Sequence, residues 1–282
     1  MKIAVSVEST NDLSKELIDK YEIHVIPYHI TLGDKTFRDG EISTKELFAY
    51  VDENGVLPKT NAINQYEYTE YFESLKKEYD AIVHVCLSSG LSSSCANAIR
   101  ASKNVKNVFV VDSLSLSTGI GLLAIYAREL IEQGYKADDV AKKVQARAEK
   151  LQVSFVVERL DYLYKGGRCN AMALLGANLL KIRPRIVVKD GKMGSDKKYR
   201  GTMSKVVNKY CEEVLAEFAT PDLDKVFITY TSATPEMVEA AMSVCQAAGF
   251  KNIYETHAGC TIASHCGGNT LGILYFNDGG QN

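Results

Sequence analysis

The chain has 282 residues, of which 46% are hydrophobic and 24% charged, and 33 Lys plus Arg against 35 Asp plus Glu leave a net charge of -2. That length suits two globular domains, and the balance provides no bulk positive charge for gripping nucleic acid. No apolar run approaches the roughly 20 residues needed to span a bilayer.

Lys2 to Val7 is an apolar run suited to a buried strand. It ends in the cap-rich Glu8-Ser9-Thr10-Asn11-Asp12, before the helical LSKELIDKY. His24 to Leu32 reads as a strand, with Gly33-Asp34 turning back into KTFRDG. Ser43-Thr44 caps KELFAYVDEN, which Gly55 closes. Pro58 to Asn61 reads as a loop and Gln65 to Tyr79 as a helix. Ala81 to Leu87 is a strand, and SSGL is a turn in which Gly90 is free to take a positive φ. One of Ser92, Ser93 and Ser94 then caps the helix CANAIRAS. Asn107 to Val111 is a strand, followed by helices over Ser117 to Gln133 and Asp138 to Lys150. Four strands alternating with helices predict a mostly parallel, doubly wound sheet.

The second half has a different cadence. Gln152 to Val157 is a strand, and Arg159 to Tyr164 a short helix ended by Lys165-Gly166-Gly167-Arg168. Ala171 to Lys181 is apolar and helical until Pro184. RIVVK turns through Asp190-Gly191 into KMGSDKKYR as a hairpin. Helices over Ser204 to Phe218 and Pro235 to Gly249 flank a strand at Lys225 to Tyr230. Strands at Ile253 to Thr256 and Thr270 to Phe276 bracket HAGCTIASHCGGN. The expected fold class is therefore α/β, with two α/β domains. Residues 1–150 carry the mostly parallel sheet, and residues 151–282 carry a mixed sheet with helices.

Seven cysteines, at positions 86, 95, 169, 211, 245, 260 and 266, include no CxxC pair and are odd in number. Reduced thiols explain this better than a disulfide framework or a zinc site. The opening MKIAVSVEST enters a strand with no signal-peptide-like apolar core, so the expected location is the cytoplasm.

Doubly wound sheets bind ligands beyond the carboxyl ends of their strands. The hydroxyl-rich turns after Val7, Leu87 and Val111 should therefore share one edge. A strand, a hydroxyl-rich turn and a helix N-terminus make a seat for an anion, although an ordinary capped βα loop would look the same. KGGR either caps a helix with solvated basic residues or aims the Arg168 guanidinium at a carboxylate or phosphate. His257 and His265 lie eight apart, which is no zinc spacing. His265, before Cys266-Gly267-Gly268-Asn269, is the better ligand candidate. Ser92 with His265 is a conceivable nucleophile and base, yet the G-x-S-x-G elbow is absent. Neither a P-loop nor G-x-G-x-x-G occurs.

Nearly end to end, the chain resembles the DegV family of bacterial fatty-acid-binding proteins, which includes the lipid-carrying subunit of fatty acid kinase. The matching stretches are VESTNDLS, LPKTN, SSGLSSS, DSLSLSTGIG, LDYLYKGGR, LLKIRP followed by DGK, and HAGCTIASHCGG. Their order and spacing carry the resemblance. It implies two α/β domains with a fatty acid between them, the tail buried in the C-terminal one. It also implies that Thr60, Ser92 and His265 hold the carboxylate, and that Arg168 fills the arginine of KGGR. The sequence departs from the family pattern where Glu8 replaces Asp in DST, TNAIN replaces TSQPS, SGLSSS replaces SGLSGT and HCGGN replaces HxGPG.

A long acyl chain has about 14 to 17 methylenes, each worth about 0.8 kcal/mol on burial, so its tail could supply on the order of 10 kcal/mol of gross driving force. A bare carboxylate in an apolar tunnel would be prohibitive without charge-assisted donors. The apolar stretch at 171–180 is a candidate tunnel lining, though plain core packing would look alike. The resemblance implies that a separate, ATP-using kinase subunit phosphorylates the carboxylate, with Arg168 near the acyl phosphate or the partner. The chain would then be a carrier with the fatty acid as ligand, no metal, no further cofactor and no chemistry of its own. The alternative is a small-molecule hydrolase or transferase using Ser92 and His265.

Overall fold

The computed structural model describes residues 1–169 and 182–280. Its first sheet is fully parallel, built from β1 (Ile3–Glu8), β2 (Ile23–Ile26), β6 (Ala81–Cys86) and β7 (Val108–Asp112) in the order β2-β1-β6-β7. β1 and β6 are buried at every position, as expected of strands covered on both faces.

His24 to Leu32, expected as one strand, is two. Pro27 has no N–H to give a ladder, and the chain leaves the first sheet there. β3 (His29–Leu32) then pairs antiparallel with β4 (Lys35–Arg38) and β5 (Lys59–Asn61) in a separate three-stranded sheet. Thr60 therefore sits on a strand, not in the expected loop. This small sheet packs Ile30 against Leu47 of α2 (Thr44–Asn54) and against Cys260.

The second sheet is mixed and six-stranded, in the order β10-β9-β8-β13-β11-β12. Its strands are β8 (Leu151–Val156), β9 (Arg183–Lys189), β10 (Lys192–Tyr199), β11 (Lys225–Tyr230), β12 (Asn252–His257) and β13 (Leu271–Phe276). Only β11 and β12 run parallel. A parallel sheet from the first half of the chain and a mixed sheet from the second, each with helices, match the α/β fold class read from the sequence.

The helix α5 (Thr118–Glu132) lies between the sheets, and every residue from Thr118 to Arg128 is buried. One apolar cluster runs from Val5 and Val85 of the parallel sheet, through Leu123 and Ala127 of α5, to Phe155 and Leu274 of the mixed sheet. At about 25 cal/mol per Å² of buried apolar surface, such a shared core joins the halves firmly. No helix among the described residues is long and apolar enough to cross a membrane.

HAGCTIASHCGGN differs from expectation in containing α10 (Cys260–Cys266), which carries His265 in its last turn. The candidate tunnel stretch at 171–180 lies outside the described residues.

Candidate functional site

The turns after β1, β6 and β7 do share the carboxyl edge of the parallel sheet, but most of their hydroxyls hold the protein together. Ser9 donates to Asp39 at 2.9 Å, Ser113 to the Ser115 carbonyl at 3.1 Å, and Ser117 to Asp12 at 2.5 Å. Ser88 donates to the Gly191 carbonyl at 2.7 Å, pinning the turn after β6 to the β9–β10 hairpin. Gly90 is glycine because of that contact, not because of a positive φ. A Cβ there would lie 2.5 Å from the Gly191 oxygen.

Ser92 is the exception. It precedes α4 (Ser94–Ser102), whose N-cap residue, Ser93, makes no side-chain cap. Instead the Ser92 hydroxyl oxygen accepts the Ser94 N–H at 3.2 Å and the Tyr28 O–H at 3.0 Å. With both lone pairs engaged, its own proton is left to donate elsewhere.

Thr60 on β5 and His265 on α10 meet across the molecule, Oγ1 to Nε2, at 2.8 Å. The other ring nitrogen, Nδ1, is buried with no hydrogen-bond partner among the described residues. We assign the ring proton to Nε2, because an unfilled acceptor is less costly inside a protein than an orphaned N–H. His265 then donates to Thr60, and the Thr60 proton, like that of Ser92, remains unspent. Burial first, and the Arg168 guanidinium second, pull the His265 pKa down from 6.5 to about 4. The imidazole is neutral at pH 7. Gly166 lets the ring fit, since a Cβ there would lie 2.5 Å from Nδ1.

Thr60, Ser92, Arg168 and His265, the four residues singled out in the sequence, line one cavity of about 470 Å³, counted out to its open mouth. Leu87, Leu91, Leu116, Met193 and Ile262 supply its apolar wall. Arg168 is half-buried and donates to the Gly166 carbonyl at 2.6 Å, so its charge stands at the cavity without an ion-pair partner among the described residues. A second cavity, of about 320 Å³, shares Leu116, Ile262 and Cys266 with the first. Phe155, Tyr230 and Leu274 of the mixed sheet continue its lining. Cys266 is thus a wall between the two, and burial pushes its thiol up to about 12.

His257 ends β12, exposed, with its ring edge-on to Tyr230, and lines neither cavity. No hydrogen bond among the described residues joins Ser92 to His265, so the nucleophile–base pair of the hydrolase alternative is not assembled.

Two residues that the sequence did not single out belong to the site's frame. Tyr28 lines the first cavity and reaches Ser92. Asp39 holds α10 by accepting the Cys260 and Thr261 N–H groups. Glu8, read from the sequence as part of a capping cluster and as a departure from the family pattern, makes no side-chain cap and is fully buried under α3 (Gln65–Leu75). Its carboxylate accepts from Tyr68, from Thr10 and, at 2.6 Å, from the Leu87 N–H at the start of the Ser92 loop. Desolvation lifts its pKa to about 7 against those bonds. Glu8, His84 and Cys86 offer ligand atoms within 4.8 Å of one another. However, the carboxylate is already spent on three protein donors, and the buried Cys86 thiol is held protonated. Those bonds tie the cluster into the fold beneath the Ser92 loop.

A family model, that of the DegV family of uncharacterised proteins, matches residues 2–278. A DegV domain-containing protein of Staphylococcus aureus is 30% identical over 276 residues, covering 97% of this chain and 98% of that protein. The chain also superposes on a DegV family protein from Thermus thermophilus, described for its fatty acid binding, with a TM-score of 0.90 and 27% identity over 98% of this chain and 99% of that one. DegV of Bacillus subtilis, described as a fatty acid binding protein, gives 0.82 and 29% over the same shares. With its sequence matched from the first strand to the last, the chain belongs to the DegV family.

Proposed function

We propose that this protein binds one long-chain fatty acid between a domain of residues 1–150 and a domain of residues 151–282. The observation that carries the reading is the pair of unspent hydroxyl protons, on Thr60 and Ser92, at the wall of an apolar cavity. A carboxylate offers two oxygens to two such donors, and each charge-assisted bond is roughly twice as strong as a neutral one. Arg168 adds positive charge beside them. His265 acts from behind, fixing Thr60. The tail runs past Leu116, Ile262 and Cys266 into the second cavity. The fatty-acid binding described for the relatives from Thermus thermophilus and Bacillus subtilis supports the same assignment.

The protein would act as a carrier that presents its carboxylate to a separate kinase subunit for acyl-phosphate formation. The site favours this reading because the Thr60 and Ser92 hydroxyls suit an anion, and no hydrogen bond among the described residues pairs Ser92 with His265. Arg168 is the residue assigned to the acyl phosphate or the partner. In a reconstituted reaction with the kinase, Arg168→Ala at saturating fatty acid should lose turnover; full turnover would reject the role. The binding reading is tested by mass spectrometry of organic extracts of the purified protein. A near-stoichiometric long-chain fatty acid is expected, and a lipid without a carboxylate would refute it.

A further inference from the structure

Tyr28 stands between the two N-terminal sheets, where the chain passes from β2 to β3, and is 2% exposed. Its backbone is fixed at both ends. Its N–H donates to Ser9 Oγ at 3.1 Å, and its carbonyl accepts the Asp39 N–H at 2.8 Å. The phenol reaches across to the β6–α4 loop, where its O–H donates to Ser92 Oγ at 3.0 Å. Ser94, the next residue but one, is fixed too, its hydroxyl accepting the Ile63 N–H at 3.1 Å.

The Ser92 oxygen has two lone pairs and one proton. Ser94 N–H fills one lone pair at 3.2 Å, and Tyr28 fills the other. Rotation about the Cβ–Oγ bond can no longer turn a lone pair toward the cavity, which both residues line. We propose that Tyr28 is a positioning residue for ligand recognition: by occupying the second acceptor site of Ser92, it obliges that hydroxyl to present its proton to an anionic head group. The inference rests on the fatty-acid reading above and deepens it, because it makes the head site selective for an acceptor-only group. A ligand whose head must itself donate a proton meets two donors and gains less.

The test compares oleate with oleyl alcohol, which share a tail and differ only in the head. Tyr28→Phe keeps the ring and removes the O–H. Oleate affinity is expected to fall about fivefold, equivalent to roughly 1 kcal/mol, because Ser92 can then rotate. Oleyl alcohol affinity should change less than about twofold, since its neutral head draws less on that donor. The same substitution made in a Ser92→Ala background should cost nothing further. An equal loss for both ligands would mark a packing effect and overturn the inference, as would an unchanged oleate affinity or a fully additive double variant. A wild-type protein that binds no oleate would instead overturn the fatty-acid reading, and this inference with it. Circular dichroism matching the wild type secures the comparison. Should Tyr28→Phe not fold, acid-over-alcohol selectivity in Ser92→Ala, which removes the hydroxyl that Tyr28 orients, becomes the measurement. Weakened selectivity supports the role, and unaltered selectivity overturns it.

Discussion

His265 Nε2 and Thr60 Oγ1 lie 2.8 Å apart although 205 residues separate them in sequence. The contact closes a frame around α10. At its other end the helix is held by Asp39, which accepts the Cys260 N–H at 3.0 Å and the Thr261 N–H at 3.3 Å, and by Asp12, which accepts the Gly259 N–H at 2.8 Å. Orphan N–H groups at a helix start need such acceptors. Here they come from the N-terminal half, Asp39 from just after β4 of the sheet that carries Thr60 and Asp12 from the turn after β1.

Thr60→Val preserves shape while removing both the acceptor for His265 and one proton for the ligand. Leaving the His265 N–H buried and unpaired should cost about 1–3 kcal/mol of stability. Oleate affinity should fall at least about tenfold, from the loss of one charge-assisted donor. Thermal unfolding and isothermal titration measure the two separately.

The folded pKa of His265, about 4, lies below its unfolded value of 6.5. The unfolded chain therefore binds the extra proton first. The stability His265 contributes is whole above pH 6.5 and is lost as the pH falls through 4. Its ring carbon resonances should not titrate between pH 6 and 8 in an NMR series. A titration midpoint near 6.5 would contradict the buried, neutral assignment.

Glu8 has the opposite sign. Its folded pKa, about 7, exceeds the ordinary 4.5. Its contribution is whole below pH 4.5 and is lost as the pH rises through 7, on the order of 3 kcal/mol in all. Glu8→Gln should flatten that part of the profile, raising relative stability at pH 8 over pH 5 in urea unfolding. Asp12, also buried and raised, would leave a residual slope of the same sign. A variant that falls as steeply as the wild type would exclude Glu8 as the source.

Gly166→Ala and Gly194→Ala form a matched pair. At Gly166 a Cβ would meet His265 Nδ1 at 2.5 Å and the Tyr162 carbonyl at 2.9 Å, whereas at Gly194 nothing lies within 4 Å. The first should weaken oleate binding by displacing His265 from Thr60, and the second should leave it unchanged. Equal behaviour would argue against that packing.

Local patterns in the sequence carried the architecture. β11 spans Lys225–Tyr230 as read, and the apolar runs at Val7 and Val85 lie in adjacent strands of one parallel sheet. The failures share a cause. β5 is three residues long, and its partner β3 lies some thirty residues earlier, so nothing near Thr60 signals a strand. The seven residues of α10 are too few to show a period. Pro27 marks the break between β2 and β3 in the sequence itself, because it has no N–H for a ladder. Tyr28 was invisible, because the hydroxyl it orients is 64 residues away. The resemblance placed Thr60, Ser92, Arg168 and His265 together, while the division of labour among them follows from hydrogen bonds that only the fold makes.

Carbon-13 NMR of oleate labelled at its carboxyl carbon tests the central claim most directly, since the reporter is the group held by Thr60 and Ser92. The account predicts a bound carboxylate resonance, distinct from free oleate, that shifts in Thr60→Val and in Ser92→Ala but not in Gly194→Ala. Failure to see a bound signal, or a signal that neither hydroxyl substitution moves, would contradict it.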